Sequence, residues 1–336
     1  MLDEFQSETL AQGDALRSLI AGYAGAAGDA LNAVPRPRRV LLTGMGASYH
    51  AAYWGAAVLC GHGIAAVAVE ASELMHYKRA LLAEELVVFI SQSGASAEVE
   101  PLLNGSPGPA RLMAVTNDPS SPLGAFAHHV LPLFAGTERT VATTTYLNTL
   151  ACIWLLAHTW SGSDVPAELA RLARLAAEVD ALLADAQELV ADWHPAFASA
   201  EHLYFLGHGP HAATARQSAM MMSEVVKRPA IGTGIGDFRH GLIEAADETT
   251  GVVLYGSGGR TDASVAALAG ELASYGCTVL QVVEGRSRRE RATRSFDEAL
   301  GSLLDVVPAQ VFAASTAERL HIDASFRHIR KVIERL

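Results

Sequence analysis

Two stretches of the chain share a pattern in which a short aliphatic and β-branched run closes in Gly-x-Gly and a helical stretch follows. The first is RVLLTGMG at residues 39–46, and the second is HLYFLGHG at 202–209. A strand that passes the chain to a helix through a glycine turn is the building unit of parallel α/β sheets. The chain therefore contains at least two such units, one in each half.

Further strand candidates alternate with helical stretches in both halves. They are IAAVAVE (64–70), ELVVFIS (85–91), RLMAVTND (111–118), HVLPLF (129–134), GVVLYGSGG (251–259), CTVLQVVEG (277–285) and SLLDVVP (302–308). This order predicts parallel sheets covered by helices on both faces. A length of 336 residues suits two domains of ordinary size. The halves share little sequence, so we infer a duplicated architecture from the order of elements alone.

The pattern divides the chain into four segments. Residues 1–35 are predicted to be helical and to end at Pro35-Arg36-Pro37; 36–165 form the first α/β subdomain; 166–195 form a helical connector; and 196–336 form the second subdomain with a C-terminal tail. The apolar stretch YLNTLACIWLLAHTW at 146–160 is shorter than a membrane span and contains Asn148 and His158. It is predicted to be a buried helix.

Composition excludes several classes of protein. A net charge of −11 argues against nucleic acid or an anionic membrane as a partner. Cys60, Cys152 and Cys277 form no CxxC pair and no metal-ligand spacing, which predicts a reduced, cytoplasmic chain with no metal. The acidic N-terminus does not have the pattern of a signal peptide. We also expect no cofactor.

The first glycine turn raises the question of dinucleotide binding. Gly44 and Gly46 provide half of the dinucleotide fingerprint, and Glu70 ends a later strand, as a ribose-binding acid would. The third glycine position holds Tyr49, whose bulk opposes close contact between helix and strand. An NAD-dependent oxidoreductase is therefore a disfavoured alternative.

The stretch ISQSGASAEV at 90–99 allows two interpretations. Ser91, Ser93 and Ser96 supply hydroxyl groups, Gln92 supplies an amide, and Gly94 allows the turn that makes successive N–H groups converge. The stretch follows a strand, and ligands of open α/β folds bind at the carboxyl ends of strands. An anion site is one interpretation; the other is that Ser and Gly cap the following helix.

Five blocks in this order resemble the sugar isomerase (SIS) superfamily: GMGASYH, ASELMHYK, ISQSGASAE, AVTNDPSSPLGAFAHHVLPLFAGTERTVATTTYLNTL and SEVVKRPAIGTGIGDFRHG. The chain is most similar to the isomerase domain of glucosamine-6-phosphate synthase and to free-standing amino-sugar-phosphate deaminases and fructosamine-phosphate deglycases. The resemblance implies two tandem doubly wound subdomains, each a flavodoxin-like three-layer sandwich. Residues 1–35 are too few for a glutaminase domain, so glutamine-dependent synthesis is not expected.

The resemblance also implies the site. Glu224 corresponds to a glutamate that moves a proton between C1 and C2, His240 to a ring-opening histidine, and Lys331, in RHIRKVIERL, to a lysine that contacts the carbonyl carbon or the phosphate. The residues implied for the sugar phosphate are Ser48, Ser91, Gln92, Ser93, Ser96 and Thr143. Aldose–ketose interconversion needs a base beside the carbonyl, and ring opening suits an imidazole.

Each catalytic candidate also has a structural interpretation. Glutamates on helices are usually solvated, although Glu224 interrupts the apolar run between AMMM and VV. His240 follows a glycine-rich loop, where histidines are often structural or exposed. Lys331 lies in a basic amphipathic stretch that is also typical of a helix end.

The chain departs from the family pattern at three positions. Met221 and Thr145 stand where the family has lysines, and Asp237 stands where it usually has a glutamate. The loss of two cations puts the usual glucosamine substrate in doubt, whereas the serine block is intact.

These observations predict a phosphosugar isomerase-type enzyme. It would act on a sugar phosphate or amino-sugar phosphate by aldose–ketose isomerisation, alone or coupled to deamination or deglycation. The resemblance implies a homodimer with a shared active site to which the partner donates a histidine. The alternative from another class is a non-catalytic phosphosugar-binding protein.

Overall fold

The computed structural model describes residues 2–83, 86–256, 259–287 and 295–331. Glu85 of one predicted strand, Ser257 and Gly258 of another, and residues 332–336 of the C-terminal motif lie outside the described residues. The described chain forms two compact units. The first contains residues 11–176 and 326–331, and the second contains residues 2–10 and 177–325. The exact bounds of the four predicted segments stay a prediction.

The elements alternate as the sequence predicts. The strands are β1 Arg39–Gly44, β2 Ala65–Glu70, β3 Val87–Ile90, β4 Leu112–Thr116, β5 His129–Pro132, β6 His202–Gly207, β7 Ile231–Gly234, β8 Thr250–Tyr255, β9 Thr278–Val283 and β10 Arg286–Ser287. The helices are α1 Leu2–Leu10, α2 Gln12–Ala24, α3 Gly28–Asn32, α4 Ala47–Gly61, α5 Ala71–His76, α6 Val99–Asn104, α7 Pro122–Phe126, α8 Thr144–Trp160, α9 Val165–Ala184, α10 Ala186–Leu189, α11 Trp193–Phe197, α12 Pro210–Met221, α13 Ile235–Arg239, α14 Asp262–Ser274, α15 Glu298–Gly301 and α16 Val307–Arg319. The described residues also form two 3₁₀ turns (Arg79–Ala83 and Leu242–Ala245) and a π-helical turn (Met222–Val226).

The sheet of the first unit is wholly parallel and has the order β2-β1-β3-β4-β5. This is the flavodoxin-like order, in which the direction of winding reverses between β1 and β3. One face packs on α5, α6 and α7 through Leu74, Leu102 and Leu123. On the other face Leu42 of β1 and Ile153 of α8 both approach Gly55 of α4. The predicted three-layer α/β fold is confirmed for this unit.

The sheet of the second unit has the order β10-β9-β8-β6-β7. Counted from β6, this is the same winding order as in the first sheet, and only the short β10 runs antiparallel to its neighbour. Helices α13 and α14 cover one face of this sheet. Their residues Ile235, Phe238 and Leu268 belong to the same hydrophobic cluster as Leu254 of β8. On the other side the Ser218 hydroxyl of α12 hydrogen-bonds the Tyr255 hydroxyl at 2.8 Å.

The structure corrects the prediction of a strand at 302–308. Residues 302–306 form a buried turn, and α16 begins at Val307. Leu303, Leu304 and Val306 are all buried, and a short apolar run cannot be assigned to strand or helix by periodicity alone. Asp305 fixes the turn because its carboxylate accepts a hydrogen bond from the Gly285 N–H at 2.8 Å and lies 3.0 Å from His211 Nδ1.

Two other elements differ from expectation. The predicted N-terminal helix is three helices, α1 to α3. The glycine-rich stretch predicted as a loop contains β7, which pairs in parallel with β6. Glycine is generally unfavourable in strands, so the local sequence pattern does not indicate a strand there. The predicted buried helix at 146–160 is confirmed as part of α8, and no helix in the described part of the chain is long and apolar enough to cross a membrane.

The two glycine turns have the same physical cause. A Cβ on Gly44 would lie 2.8 Å from the carbonyl oxygen of Ile90 and from Cβ of Ser48, so only glycine lets α4 and β3 approach β1 so closely. Gly46 then turns the chain with φ of +52°, and Gly209 does the same in the second unit with φ of +51°.

We therefore expect Gly44→Ala to lower the free energy of unfolding of the first unit by about 1–3 kcal/mol through overpacking. Gly61→Ala is the control, because it lies at the end of α4 and an added Cβ would meet no other atom within 4 Å. It should stabilise the helix by up to about 1 kcal/mol. Urea unfolding followed by circular dichroism measures both. Equal midpoints for the two variants would contradict the close-approach explanation.

Candidate functional site

The serine loop, residues 91–96, connects the end of β3 to α6. Ser91 is buried, and its hydroxyl oxygen accepts a hydrogen bond from the Gly94 N–H at 3.1 Å. Gly94 has φ of +61°, and its carbonyl accepts from the Leu123 N–H at 2.9 Å. The backbone carbonyl of Gln92 accepts from the Asn117 N–H at 3.0 Å. The loop is therefore a folded turn tied to the end of β4 and the start of α7.

The helix-capping interpretation of the serines is wrong. Helix α6 begins only at Val99, and its N-cap residue is Glu98. The Ser93 hydroxyl accepts from the Ala95 N–H at 3.2 Å, within the loop itself. Gln92, Ser93 and Ser96 are half-buried, and in the described part of the chain their backbone N–H groups donate to no protein acceptor. The loop therefore offers a set of neutral donors at the surface.

Ser48 joins this set from the start of the helix that follows the neighbouring strand β1. It is the second residue of α4, directly after the Gly44–Gly46 turn. Strands β1 and β3 are neighbours, and the Ile90 carbonyl lies against Gly44. The turn of Ser48 and the serine loop thus flank the point where the winding of the sheet reverses. Ligands of open α/β sheets bind at such a switch point, outside the carboxyl ends of the strands.

Thr143, the remaining predicted phosphate ligand, is bound to protein groups. It is fully buried, and both its N–H (2.7 Å) and its hydroxyl (3.2 Å) donate to Oε1 of Glu138. The Thr144 hydroxyl and the Thr145 N–H donate to the same oxygen, and the Thr145 hydroxyl and Lys331 Nζ donate to Oε2. We call this set of residues the Glu138 network. Glu138 is buried and lies at the N-terminus of α8, where a negative charge is stabilised by the helix dipole.

Lys331 is the cation of this network. Its ammonium lies 2.8 Å from Oε2 of Glu138 and 2.5 Å from the Thr140 carbonyl oxygen, and its side chain is 22% exposed. Burial raises the pKa of Glu138, but the charge and hydrogen bond of Lys331, with the hydrogen bonds from Thr145 and Thr143, outweigh it and lower the pKa below its ordinary 4.5. Glu138 is therefore charged at neutral pH, and Lys331 is its counter-ion.

Glu224 lies in the π-helical turn Met222–Val226, which continues α12. It is half-buried, and its Oε2 is shielded from solvent. The neighbouring Val225 and Val226 are buried, and the turn ends at Lys227, whose φ of +59° is left-handed. The Lys227 ammonium donates to the Glu224 carbonyl oxygen. Single π-helical turns inside helices are frequent at functional sites.

His240 follows β7 along the chain, whereas Glu224 precedes it. It is exposed and follows α13, whose first turn contains Asp237. Glu224 precedes the first residue of β7, and His240 follows its last. The strand is four residues long, or about 10 Å between its terminal Cα atoms. Along the chain, the two predicted catalytic residues therefore lie before and after β7.

The departures from the family pattern have structural consequences. Met221 is fully buried on α12, so the position where the family has a lysine is an apolar core position here. Thr145 is also buried, and its hydroxyl binds Glu138. Glu70, the residue considered for a ribose, accepts a hydrogen bond from the Ser72 hydroxyl at 2.5 Å. Among the described residues no group of three or more His, Cys, Asp or Glu side chains could hold a metal ion.

Two residues of these sites escape prediction from the sequence. Glu138 ends the sequence AGTE at residues 135–138, but a lone glutamate in a loop gives no indication that it is buried. Lys227 follows an apolar run, and a lysine in that position usually marks only the end of a helix. The contacts of Glu138 and Lys227 can be seen only in the folded structure, which brings their partners together.

The comparisons with known proteins decide the family. A family model described as SIS domain matches residues 35–159 and 196–286, which together exceed half of the chain. The chain belongs to the SIS domain family. An isomerizing glutamine–fructose-6-phosphate aminotransferase of Gloeobacter violaceus is 27% identical over 306 residues, covering 85% of this SIS protein and 50% of the relative. The chain thus spans about half the length of the curated relatives it matches.

Solved structures agree with the fold of this SIS protein. Tagatose-6-phosphate ketose/aldose isomerase from Escherichia coli superposes with a TM-score of 0.77 at 20% identity, covering 94% of this chain and 93% of that one. Glucosamine-6-phosphate deaminase from Thermotoga maritima gives 0.76 at 21% identity, covering 95% and 96%. At these identities the likeness establishes the fold.

The Glu138 network predicts that the free energy of unfolding of the first unit falls at acid pH. Glu138→Gln should destabilise the first unit by about 3–5 kcal/mol at pH 7, because it leaves a largely buried Lys331 ammonium without its carboxylate. Since the pKa of Glu138 is lowered on folding, its contribution is present above pH 4.5 and is lost as pH falls below that value.

The measurement is urea unfolding at several pH values, with the exposed Glu100→Gln as a control of equal charge change. The difference between wild type and Glu138→Gln should shrink below pH 4.5, whereas that for Glu100→Gln should be small throughout. A pH-independent difference for Glu138→Gln would contradict the assignment.

Proposed function

We propose that this SIS protein is a phosphosugar isomerase-type enzyme, with the serine loop and Ser48 as the phosphate-binding site. The observation that carries the proposal is the set of neutral donors at the switch point of the first sheet. Backbone N–H groups and hydroxyls arranged around a turn bind phosphate without a cation. This suits a chain with a net charge of −11. The SIS family model covers the same residues.

Glu224 would move the proton between C1 and C2. The task needs a carboxylate that abstracts a proton beside a carbonyl and returns it to the adjacent carbon. The half-buried position of Glu224 in a π-helical turn supports this role, because such turns are frequent at functional sites. The Lys227–Glu224 carbonyl contact and the buried Val225 and Val226 hold the backbone of the turn in place.

His240 would open the sugar ring. Because it is exposed and β7 separates it from Glu224 along the chain, we propose that it acts in the site of a partner subunit. The enzyme would then be a homodimer in which each site takes Glu224 from one protomer and a histidine from the other. A two-fold symmetric dimer contains two such sites.

Lys331 has a structural role in the first unit. It would contact a substrate carbonyl or phosphate only after leaving the Glu138 carboxylate. The two neutral replacements, Met221 and Thr145, leave fewer cations near the substrate than the family pattern has. These features favour a substrate other than glucosamine 6-phosphate, within the class of hexose, hexosamine and fructosamine phosphates.

The similar proteins differ in reaction. Their names describe an isomerizing aminotransferase, a ketose/aldose isomerase and a deaminase. Proton transfer between C1 and C2 is the step that an aldose–ketose isomerisation requires, so we propose isomerisation as the core reaction, with release of an amine as a further step for amino-sugar substrates.

A non-catalytic phosphosugar-binding protein is the second candidate. The buried Met221 favours it, because an apolar residue occupies a position where the family has a cation. Both candidates need the serine loop, but only the enzyme needs Glu224 and His240.

Turnover of hexose, hexosamine and fructosamine phosphates, with ammonia detection, tests the proposal. We expect one of them to be converted, and Glu224→Gln to lower kcat by about 100-fold or more with little change in substrate binding. Glu248→Gln, an exposed acid of the same unit, should leave kcat unchanged. Binding of a sugar phosphate without turnover of any would favour the second candidate, and unchanged kcat in Glu224→Gln would contradict the role of Glu224.

Mixed dimers test the shared site. Glu224→Gln and His240→Asn homodimers should both be inactive, but co-expression should restore about a quarter of wild-type activity, since half the dimers are mixed and one of their two sites is intact. No recovery, with mixed dimers shown to form by mass spectrometry, would place both residues in a site within one chain.

A further inference from the structure

A cavity lies in the second unit, near the amino end of β6. Its volume is about 190 Å³, and its walls come from α11, the first residues of β6, the π-helical turn and α16. Ligands of open parallel sheets bind at the opposite, carboxyl edge. Neither Glu224 nor His240 lines the cavity. It is therefore separate from the proposed catalytic residues.

One wall of the cavity is aromatic. Phe197 and Phe312 are buried, and their rings meet at an angle of 67° with centroids 6.0 Å apart. The His194 ring packs on Phe312 with a centroid distance of 5.1 Å, and its Nε2 hydrogen-bonds the Ser315 hydroxyl at 2.9 Å. Burial, and to a lesser degree the charge of Arg319, lower the pKa of His194, which favours the neutral imidazole. This wall can therefore pack against the apolar part of a ligand.

The same helix that provides Phe312 also provides polar groups. Phe312, Thr316 and Arg319 follow each other at spacings of four and three residues and therefore lie on one face of α16. Thr316 is 9% exposed, and its hydroxyl oxygen is buried with no hydrogen-bond partner in the described part of the chain. A buried hydroxyl without a partner carries a cost in free energy, which a hydrogen bond to a ligand would remove once the Thr316 side chain turns its hydroxyl into the cavity.

Two guanidinium groups line the cavity. Arg228 donates one N–H to the Ala200 carbonyl at 3.0 Å, which leaves its other N–H groups available. Across the described residues, neither Arg228 nor Arg319 forms an ion pair with a carboxylate. Glu201 is the one acid among the lining residues, so the cavity has an excess positive charge. This contrasts with the net charge of −11 for the chain.

We propose that this cavity binds a small organic anion with an aromatic or compact apolar body. The anionic group, a carboxylate or a phosphate, would take hydrogen bonds from Arg228, Arg319 and the Thr316 hydroxyl, and the body would pack on Phe197 and Phe312. The size fits, since a cavity of about 150 Å³ holds benzene. Arginine suits either anion because its planar fork donates two parallel hydrogen bonds.

The site is connected to the proposed catalytic turn. Met222, the first residue of the turn that carries Glu224, lines the cavity, and so do Arg228 and Pro229 just beyond it. An occupant would therefore contact both ends of the segment that holds Glu224. The binding proposal itself does not depend on the proposed function.

Methyl NMR of protein labelled at its methionine methyl groups tests the site. Met222 is one of 7 methionines, and Met222→Leu assigns its signal. Titration with benzoate and with phenyl phosphate should shift the Met222 signal saturably, and benzyl alcohol, which lacks the charge, should bind at least about tenfold more weakly. The stronger of the two anions identifies the anionic group.

Arg319→Gln and Thr316→Val should each weaken binding of that anion, Arg319→Gln by roughly tenfold or more. Arg174→Gln, an exposed arginine on α9, has the same charge change and should bind as wild type does. Circular dichroism and thermal midpoints establish that each variant is folded. No saturable shift, equal affinity for benzyl alcohol, or wild-type affinity in folded Arg319→Gln would overturn the proposal.

Discussion

The buried carboxylate of Glu138 is the interaction on which the first unit depends most. Moving a carboxylate out of water costs several kcal/mol, and only a full set of donors offsets that cost. Glu138 has six of them from Thr143, Thr144, Thr145 and Lys331. Because the network joins the N-terminus of α8 to Lys331, it also fixes the described end of the chain to this unit.

This interaction explains why the polar groups of two predicted site residues are paired with a protein carboxylate. Thr143 and Lys331 belong to the Glu138 network, so their polar groups are already used within the protein. The serine loop differs, because its internal hydrogen bonds shape the turn while no acceptor among the described residues takes the N–H groups of Gln92, Ser93 and Ser96. The distinction depends on hydrogen bonds made over long distances in sequence, such as that between Lys331 and Glu138. No local pattern reports such contacts.

Much of the fold could be predicted because its signal is local. Each Gly-x-Gly turn after an apolar strand marks a close approach of helix and strand, and the buried strands such as Val87–Ile90 read as continuous apolar runs. The wrong predictions, at residues 302–306 and at β7, have the opposite cause, because the structure there depends on contacts that are distant in sequence. The turn at 302–306 is apolar because it is buried, and β7 is glycine-rich because α12 lies against it: a Cβ on Gly232 would lie 2.2 Å from the Ala215 carbonyl oxygen. In both cases tertiary packing overrides local propensity.

The two proposed anion sites differ in the groups that would bind the anion: neutral hydrogen-bond donors in the first unit and arginine side chains in the second. In the first unit Thr145 stands where the family pattern has a lysine, and Lys331 is paired with Glu138, so an anion bound at the proposed phosphate site would contact neutral dipoles rather than a net charge. In the second unit Met221 stands where the family pattern has another lysine, whereas Arg228 and Arg319 line the cavity beside Met222. Dipoles fixed in a folded loop hold a phosphate with little dependence on ionic strength, because counter-ions screen net charge far more than short, directed hydrogen bonds. Arginines without a carboxylate partner among the described residues attract anions over a longer range, and salt weakens that attraction. The serine loop and the arginine-lined cavity thus support the proposal of two anion-binding modes in one chain, one set by the geometry of fixed dipoles and the other by charge.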